Sequence, residues 1–295
     1  MESLISFWQS LPEHMNQSLF TIGSFQLRWY SLMYIAAFLT TYLIVMYRIK
    51  REARFAGYSS EMVQDLFIWA ITGLIVGARL GYVLFYNFSY YAQHPLEIIL
   101  PFEFSPDGIR FVGISGMSYH GGAIGVMLAG LIFCRKYKTD FWNLADLLCP
   151  VIPLGYTFGR IGNFINGELY GRITNAAWGM YFPQAPTHQL RHPSQLYEAF
   201  FEGLFLFAIL WRFREARIPQ GAFLGVYLIG YGAVRFIIEM FREPDSQLGF
   251  VLGPFTMGQL LCLAMIIAGI ALVAYRRSRA MAGAGGAGQQ QESKR

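Results

Sequence analysis

Seven stretches of this chain are apolar over about the 20 residues that an α-helix needs to cross a hydrocarbon layer: 29–47, 62–86, 118–134, 144–165, 194–211, 221–241 and 254–275. A water-soluble chain carrying all seven would lack the polar side chains to cover its surface. Charged residues make up 14% of the 295 positions, well under the ~25% usual for globular chains. Disorder is excluded by the same apolar content, which stands at 55%. The expected fold is an all-α polytopic membrane protein with seven transmembrane helices. The third stretch is short and glycine-rich, and the fourth contains Pro150 and Pro153. Those prolines predict a kinked or broken helix, tolerated in a membrane only where protein or a wet cavity satisfies the freed backbone groups.

Lys and Arg set the orientation, because positive charge is retained on the cytoplasmic side. Alternate connections hold Arg48, Lys50, Arg51 and Arg54, then Arg135, Lys136 and Lys138, then Arg212, Arg214 and Arg217, and the tail adds Arg276, Arg277, Arg279, Lys294 and Arg295. These are 15 of the 23 basic residues. The N-terminus is therefore expected to be periplasmic and the C-terminus cytoplasmic. The opposite connections carry mixed charge, including Glu97, Glu103, Asp107, Arg110, Glu168 to His192, Glu243 and Asp245. Residues 1–28 lack a basic, signal-like start and read as a periplasmic arm at the interface. The seven-span region covers 29–279, with a small periplasmic head from segments at about 87–117, 166–193 and 242–253, and 280–295 reads as a disordered cytoplasmic tail. The net charge of +5 follows from this bias and does not argue for nucleic acid.

Ionisable residues inside a span cost at least a few kcal/mol each, so Arg79, Asp146, Arg160, Glu198, Glu202, Arg235 and Glu239 each need a reason. Arg235 and Glu239 are four apart and can pair. Glu202 approaches the cytoplasmic half and is expected to meet an arginine of a connection. Gly73, Gly77 and Gly81 form a four-residue repeat suited to close helix packing, with Arg79 turned inward to an anion or to carbonyls. His120 opens the third stretch beside Gly121 and Gly122, and an imidazole there suits general-base work. Arg160, Asn163, Asn166 and Glu168 fall within nine residues beside four glycines, a polar pocket at the end of a span. An arginine in such a pocket suits a phosphate, because its planar fork donates paired hydrogen bonds. Cys134, Cys149 and Cys262 read as small buried apolar groups, and no Cys/His spacing suggests a metal. These residues alone leave open an enzyme, a transporter of organic anions and a non-catalytic scaffold.

The run Gly159-Arg160-x-Gly162-Asn163-Phe164-x-Asn166-x-Glu168-x-x-Gly171 resembles the signature of the prolipoprotein diacylglyceryl transferase family. Four further blocks resemble that family in the same order: Trp29-Tyr30-x-Leu32-Met33-Tyr34, Gly116-Met117-Ser118-Tyr119-His120-Gly121-Gly122, Arg191-His192-Pro193-Ser194-Gln195-Leu196-Tyr197-Glu198 and Gly230-Tyr231-Gly232-x-x-Arg235. The resemblance implies an enzyme of the bacterial inner membrane with its active site toward the periplasm. It would move the diacylglyceryl group of phosphatidylglycerol to the lipobox cysteine of a preprolipoprotein signal peptide, leaving a thioether and glycerol phosphate. It also implies Arg160 and Arg235 as the principal arginines, surrounded by Tyr30, His120, Asn163, Glu168, Gly171, Tyr231 and Glu239. Such chemistry needs cations on the phosphate, a proton acceptor for the thiol and shelter from water. The arginines suit the first and His120 the second. Glu239 would orient Arg235, Asn163 with Tyr30 would fix glycerol hydroxyls, and Asn166 and Tyr231 complete the set. No cofactor and no metal are expected.

Overall fold

A computed structural model describes residues 2–22, 25–100, 102–105, 108–111, 116–243 and 250–292. Asp107, Asp245, Lys294, Arg295 and parts of the expected head segments lie outside the described residues. The helices are α1 (Glu2–Ser10), α2 (Trp29–Arg51), α3 (Ser60–Tyr86), α4 (Phe88–Gln93), α5 (Tyr119–Tyr137), α6 (Phe141–Leu148), α7 (Ile152–Asn166), α8 (Ser194–Tyr197), α9 (Leu206–Phe213), α10 (Ala222–Ile238) and α11 (Met257–Glu292). Between α8 and α9 the chain winds as a π-helix over Glu198–Phe205.

Each of the seven apolar stretches overlaps helix, although 149–151 interrupts the fourth and 254–256 of the last lie in a turn and a strand. Among the described residues, three helices, Trp29–Arg51, Ser60–Tyr86 and Met257–Ala282, are long and apolar enough to cross a bilayer by length and composition. The chain is thus a mostly helical protein of membrane type. The all-α expectation misses three antiparallel hairpins, β1 (Ser18–Ile22) with β2 (Phe25–Arg28), β3 (Phe102–Ser105) with β4 (Gly108–Phe111), and β5 (Phe250–Leu252) with β6 (Phe255–Thr256). Strands of two to five residues are too short to print a period-two pattern on a sequence. α11 continues to Glu292, into the Ala/Gly/Gln-rich stretch where a disordered tail is expected.

Met1–Glu52 with Ala145–Arg295 form one compact unit, and Ala53–Leu144 form another. In the first, α2 packs on α7, α7 on the π-helix, and α10 on α11. Glycines permit these approaches: a Cβ at Gly225 would lie 2.8 Å from the Gly269 carbonyl oxygen, and one at Gly232 would lie 2.9 Å from Ile266. The fourth stretch breaks between α6 and α7 around Pro150, and Arg48 explains how the break survives. Its guanidinium is fully buried and pairs with both carboxylate oxygens of Glu52 at 2.8 Å. It also donates through Nη1 to the carbonyls of Asp146, at 3.0 Å, and Leu147. These are carbonyls of the last turn of α6, which have no intrahelical donor. The sequence counts Arg48 with the basic residues of the first connection; the structure places it in the last turn of α2, facing the α6 break. Asp146, also buried, accepts from the backbone N–H of Gly221 at 2.7 Å and Phe223 at 3.2 Å. It caps α10, where the N-terminal dipole favours a carboxylate.

Residues 166–193 form the head of this unit, closed by bridges between Gly171 and Arg242, Ile173 and Arg191, and Met180 and Arg191. Its core is Phe164, Met180 and Phe182, against which Leu11 and Met15 of the N-terminal arm pack. The arm is tied down further by Trp8 Nε1 to the Trp178 carbonyl at 3.0 Å and by the Tyr181 N–H to the Gln9 carbonyl at 2.8 Å.

In the second unit, α3 and α5 pack through the predicted glycines. A Cβ on Gly77 would sit 2.7 Å from Gly125 Cα, and one on Gly81 would sit 2.7 Å from Gly121 Cα. Arg79 finds the expected carbonyls: Nε donates to Ile98 at 2.9 Å, and Nη2 donates to Glu97. Its guanidinium also lies 4.9 Å from the Tyr91 ring centroid.

Candidate functional site

Helical spacing assembles the site. Tyr156, Arg160 and Asn163 lie at i, i+4 and i+7 on α7, hence on one face. The helix then ends at Gly167, whose φ of +70° is easy for glycine. That turn sends Glu168 back over the helix end, where its Oε1 accepts from Asn163 Nδ2 at 2.8 Å and Asn166 Nδ2 at 3.3 Å. The predicted polar pocket is therefore a connected chain of side chains. Tyr30 reaches it from α2: a Cβ at Gly162 would meet the Tyr30 ring at 2.8 Å, and its hydroxyl is 3.1 Å from that of Tyr34.

The block Arg191 to Gln195 braces this turn. Arg191 Nη1 donates to the Gly171 carbonyl at 3.2 Å, Ser194 Oγ to that of Leu169 at 3.0 Å, and Gln195 Nε2 to that of Glu168 at 2.7 Å. Gly171 itself sits where backbones cross; its N–H bonds the His192 carbonyl at 2.8 Å, and a Cβ there would lie 2.7 Å from His192 Cβ. His192 stands over Phe241, with its Nδ1 3.1 Å from the Tyr197 hydroxyl, and partial burial holds its imidazole below the usual histidine range.

The π-helix brings Glu198 and Glu202, both without solvent exposure, against the arginines. π-windings inside α-helices recur at functional sites; here Thr157 Oγ1 bonds the Ala199 carbonyl at 3.2 Å within the winding. Glu198 is the hub. It lies 2.6 Å from Arg160 Nε, 3.0 Å from Arg235 Nη1 and 3.1 Å from Arg242 Nη1. Arg235 also meets Glu202 at 3.4 Å and Glu239 at 2.7 Å. Glu239 is held in turn by Thr256 Oγ1 at 3.1 Å, and a Cβ at Gly258 would collide with its carboxylate at 2.5 Å. The Tyr231 ring packs edge-on to Tyr156 at 5.9 Å and stacks on Tyr227.

Among the sequence-predicted residues, Tyr30, Arg160, Asn163, Asn166, Glu168, Gly171, Tyr231, Arg235 and Glu239 all belong to the first unit. Arg160, Asn163, Asn166 and Glu168 form one bonded chain, and Arg160 joins Arg235 and Glu239 through Glu198. His120 belongs to the second unit, in the first turn of α5, with an exposed ring edge-on to Tyr119 at 5.7 Å. Ser118 caps that helix by accepting from the Gly121 N–H at 3.2 Å. Glu202 corrects its expectation, since it meets Arg235 and Tyr156 and not an arginine of a connection. Sequence reasoning singled out Glu198 as a charge inside a span without giving it a partner, and it gave Tyr156 and Arg242 no role. Tyr156 stands four residues before Arg160 and Glu198 four before Glu202, a spacing that was readable; Arg242 lies beyond the end of α10 and carried no such signal.

Three guanidiniums and three carboxylates are thus interlocked where solvent is largely excluded, a setting in which charge-assisted hydrogen bonds are strong. Arg160 retains donor capacity: its Nη1 bond to Asn163 is long, at 3.3 Å, and among the described residues nothing accepts from Nη2. An oxyanion is the group such an arginine takes. Among the described residues, no cluster of three or more His, Cys, Asp or Glu could hold a metal ion. The three cysteines are free and buried, as expected of small apolar groups.

Residues 17–275 match the family model described as prolipoprotein diacylglyceryl transferase. The chain is 52% identical over 280 residues to a phosphatidylglycerol–prolipoprotein diacylglyceryl transferase of Chlorobaculum tepidum, covering 95% of this chain and 96% of that one. A protein of the same name from Bordetella avium is 46% identical over 251 residues, covering 85% and 90% of the two chains. Another from Campylobacter jejuni is 44% identical over 265 residues, covering 89% and 94%.

Proposed function

This chain belongs to the prolipoprotein diacylglyceryl transferase family, and we propose that its reaction is the transfer of the diacylglyceryl group of phosphatidylglycerol to the lipobox cysteine of a preprolipoprotein. The cysteine sulfur, as thiolate, attacks the carbon of the diacylglycerol moiety that is bonded to the phosphate oxygen. A carbon–sulfur bond forms while the carbon–oxygen bond breaks, and its electron pair leaves on the phosphate oxygen of glycerol phosphate. The observation that carries this reading is the Arg160–Glu198–Arg235 assembly, whose donors remain available on Arg160. Donors already fixed in place stabilise developing negative charge without reorganising as it forms.

Within this proposal, Arg160 and Arg235 take the phosphate, and Glu239 orients Arg235. Asn163, Asn166, Glu168 and Tyr30 bind the glycerol hydroxyls, Tyr231 lies beside Tyr156 in the same cluster, and Gly171 lets the backbone cross closely there. His120, whose imidazole suits general-base work, accepts the thiol proton. His120→Gln should abolish transfer while phosphatidylglycerol binding persists, and near-normal turnover would remove the base role. The protein sits in the bacterial inner membrane with seven spans, N-terminus periplasmic and C-terminus cytoplasmic. The direct test supplies purified protein with phosphatidylglycerol and a lipobox peptide. Glycerol phosphate should appear in step with peptide heavier by one diacylglyceryl group. No release by folded protein would defeat the assignment.

A further inference from the structure

Building on the transferase reading, we propose that Tyr156 is a positioning residue for Arg160, fixing the presentation of its guanidinium to the leaving phosphate. Tyr156 precedes Arg160 by one turn of α7. Its hydroxyl accepts from Arg160 Nε at 2.7 Å and donates to Glu202 Oε2 at 2.6 Å. Its ring carries the guanidinium, with Cζ 4.7 Å from the centroid. The hydroxyl fixes Nε while the ring fixes the plane, so the direction of the Nη1 and Nη2 edge is set. That edge is where donors remain, through the long bond to Asn163 and an Nη2 without an acceptor among the described residues. Glu202 then passes the constraint to Arg235, 3.4 Å away. Two bridges therefore span the guanidiniums, one through Glu198 alone and one through Tyr156 and Glu202. A paired hydrogen bond to phosphate depends on the orientation of the donor fork as well as on its charge. Removing the hydroxyl leaves Arg160 paired with Glu198 but freer to turn.

The test is a four-protein cycle: wild type, Tyr156→Phe, Arg160→Lys and the double variant, each assayed for glycerol phosphate release against phosphatidylglycerol concentration and for thermal unfolding. Phenylalanine keeps the ring and its packing. Tyr156→Phe should lower kcat by about 10- to 100-fold, the worth of a hydrogen bond to a charged group, with KM for the lipid changing much less. In the Arg160→Lys background, which has no Nε to hold, the same substitution should cost nothing further. Where steady-state turnover of Arg160→Lys is too slow to follow, the cycle is read on single-turnover glycerol phosphate release with enzyme in excess. Wild-type kcat for Tyr156→Phe overturns the proposal. So does an equal fractional loss in both backgrounds, which is what a purely structural tyrosine would give. No release even by the wild-type protein is a separate result, which removes the transferase reading and this role with it.

Discussion

At the scale of single residues, Glu198 decides the state of the site. One buried carboxylate contacts three arginines, so neutralising it leaves guanidiniums without their counter-charge where water cannot replace it. Breaking a buried ion pair from one side costs about 3–5 kcal/mol. Glu198→Gln, nearly isosteric, should therefore lower stability by about that amount, read as a loss of thermal stability in detergent; an unchanged midpoint would show that the arginines are satisfied elsewhere. His192 gives a pH signature of opposite origin. Burial favours its neutral form, so the unfolded chain binds the proton more readily than the folded one. Stability is then full above the ordinary histidine range, near pH ~6.5, and falls as acidification titrates His192. His192→Asn should flatten the slope of stability between about pH 7 and 5, and an unchanged slope would assign it to other groups.

At the scale of elements, the charges that interrupt apolar helices hold broken or closely packed segments together. Arg48 stops the carbonyls of α6 from being stranded at the proline break, and Asp146 caps α10. Arg48→Met should cost about 3–5 kcal/mol, because Glu52 then keeps only the longer contact to Arg214, at 3.4 Å, and the α6 carbonyls lose their donor, whereas the exposed Arg51 should be replaceable at little cost. Between α3 and α5 the backbones touch, so Gly125→Val should disrupt the 53–144 unit outright. Protease sensitivity confined to that unit is the expected readout, and normal resistance would contradict the packing. Helix positions were legible because apolar runs of this length have few other uses, and Gly73, Gly77 and Gly81 announced a close interface by their period. The burial of Arg48 was not legible. Its neighbours Lys50, Arg51 and Arg54 made it look like one more topological charge, and the α6 carbonyls it meets, of Asp146 and Leu147, are remote in sequence. The π-winding was equally silent, since no residue pattern separates it from an α-helix.

At the scale of the whole molecule, the sequence carried the identity of the site better than its wiring. The Gly159 to Gly171 signature placed Arg160, Asn163, Asn166 and Glu168 together, and the structure joins them by side-chain hydrogen bonds. Arg235 and Glu239 do pair, as their spacing predicts, but Glu198 also ties Arg235 to Arg160. That tie depends on a third helix and could not be read from spacing within one. The proposed topology rests on the same sorting of charge. A single cysteine introduced at Gln189 should react with a membrane-impermeant thiol reagent from outside intact spheroplasts, and one introduced at Arg217 should react only after lysis; the reverse pattern would invert the protein. The central claim is that two fixed guanidiniums, and not merely positive charge, take the phosphate of phosphatidylglycerol. Its most direct test is the rate of glycerol phosphate release by Arg235→Lys beside the wild type. Lysine keeps the charge but offers a point in place of a fork, so the rate should fall by about 10- to 100-fold; release at the wild-type rate would contradict the account.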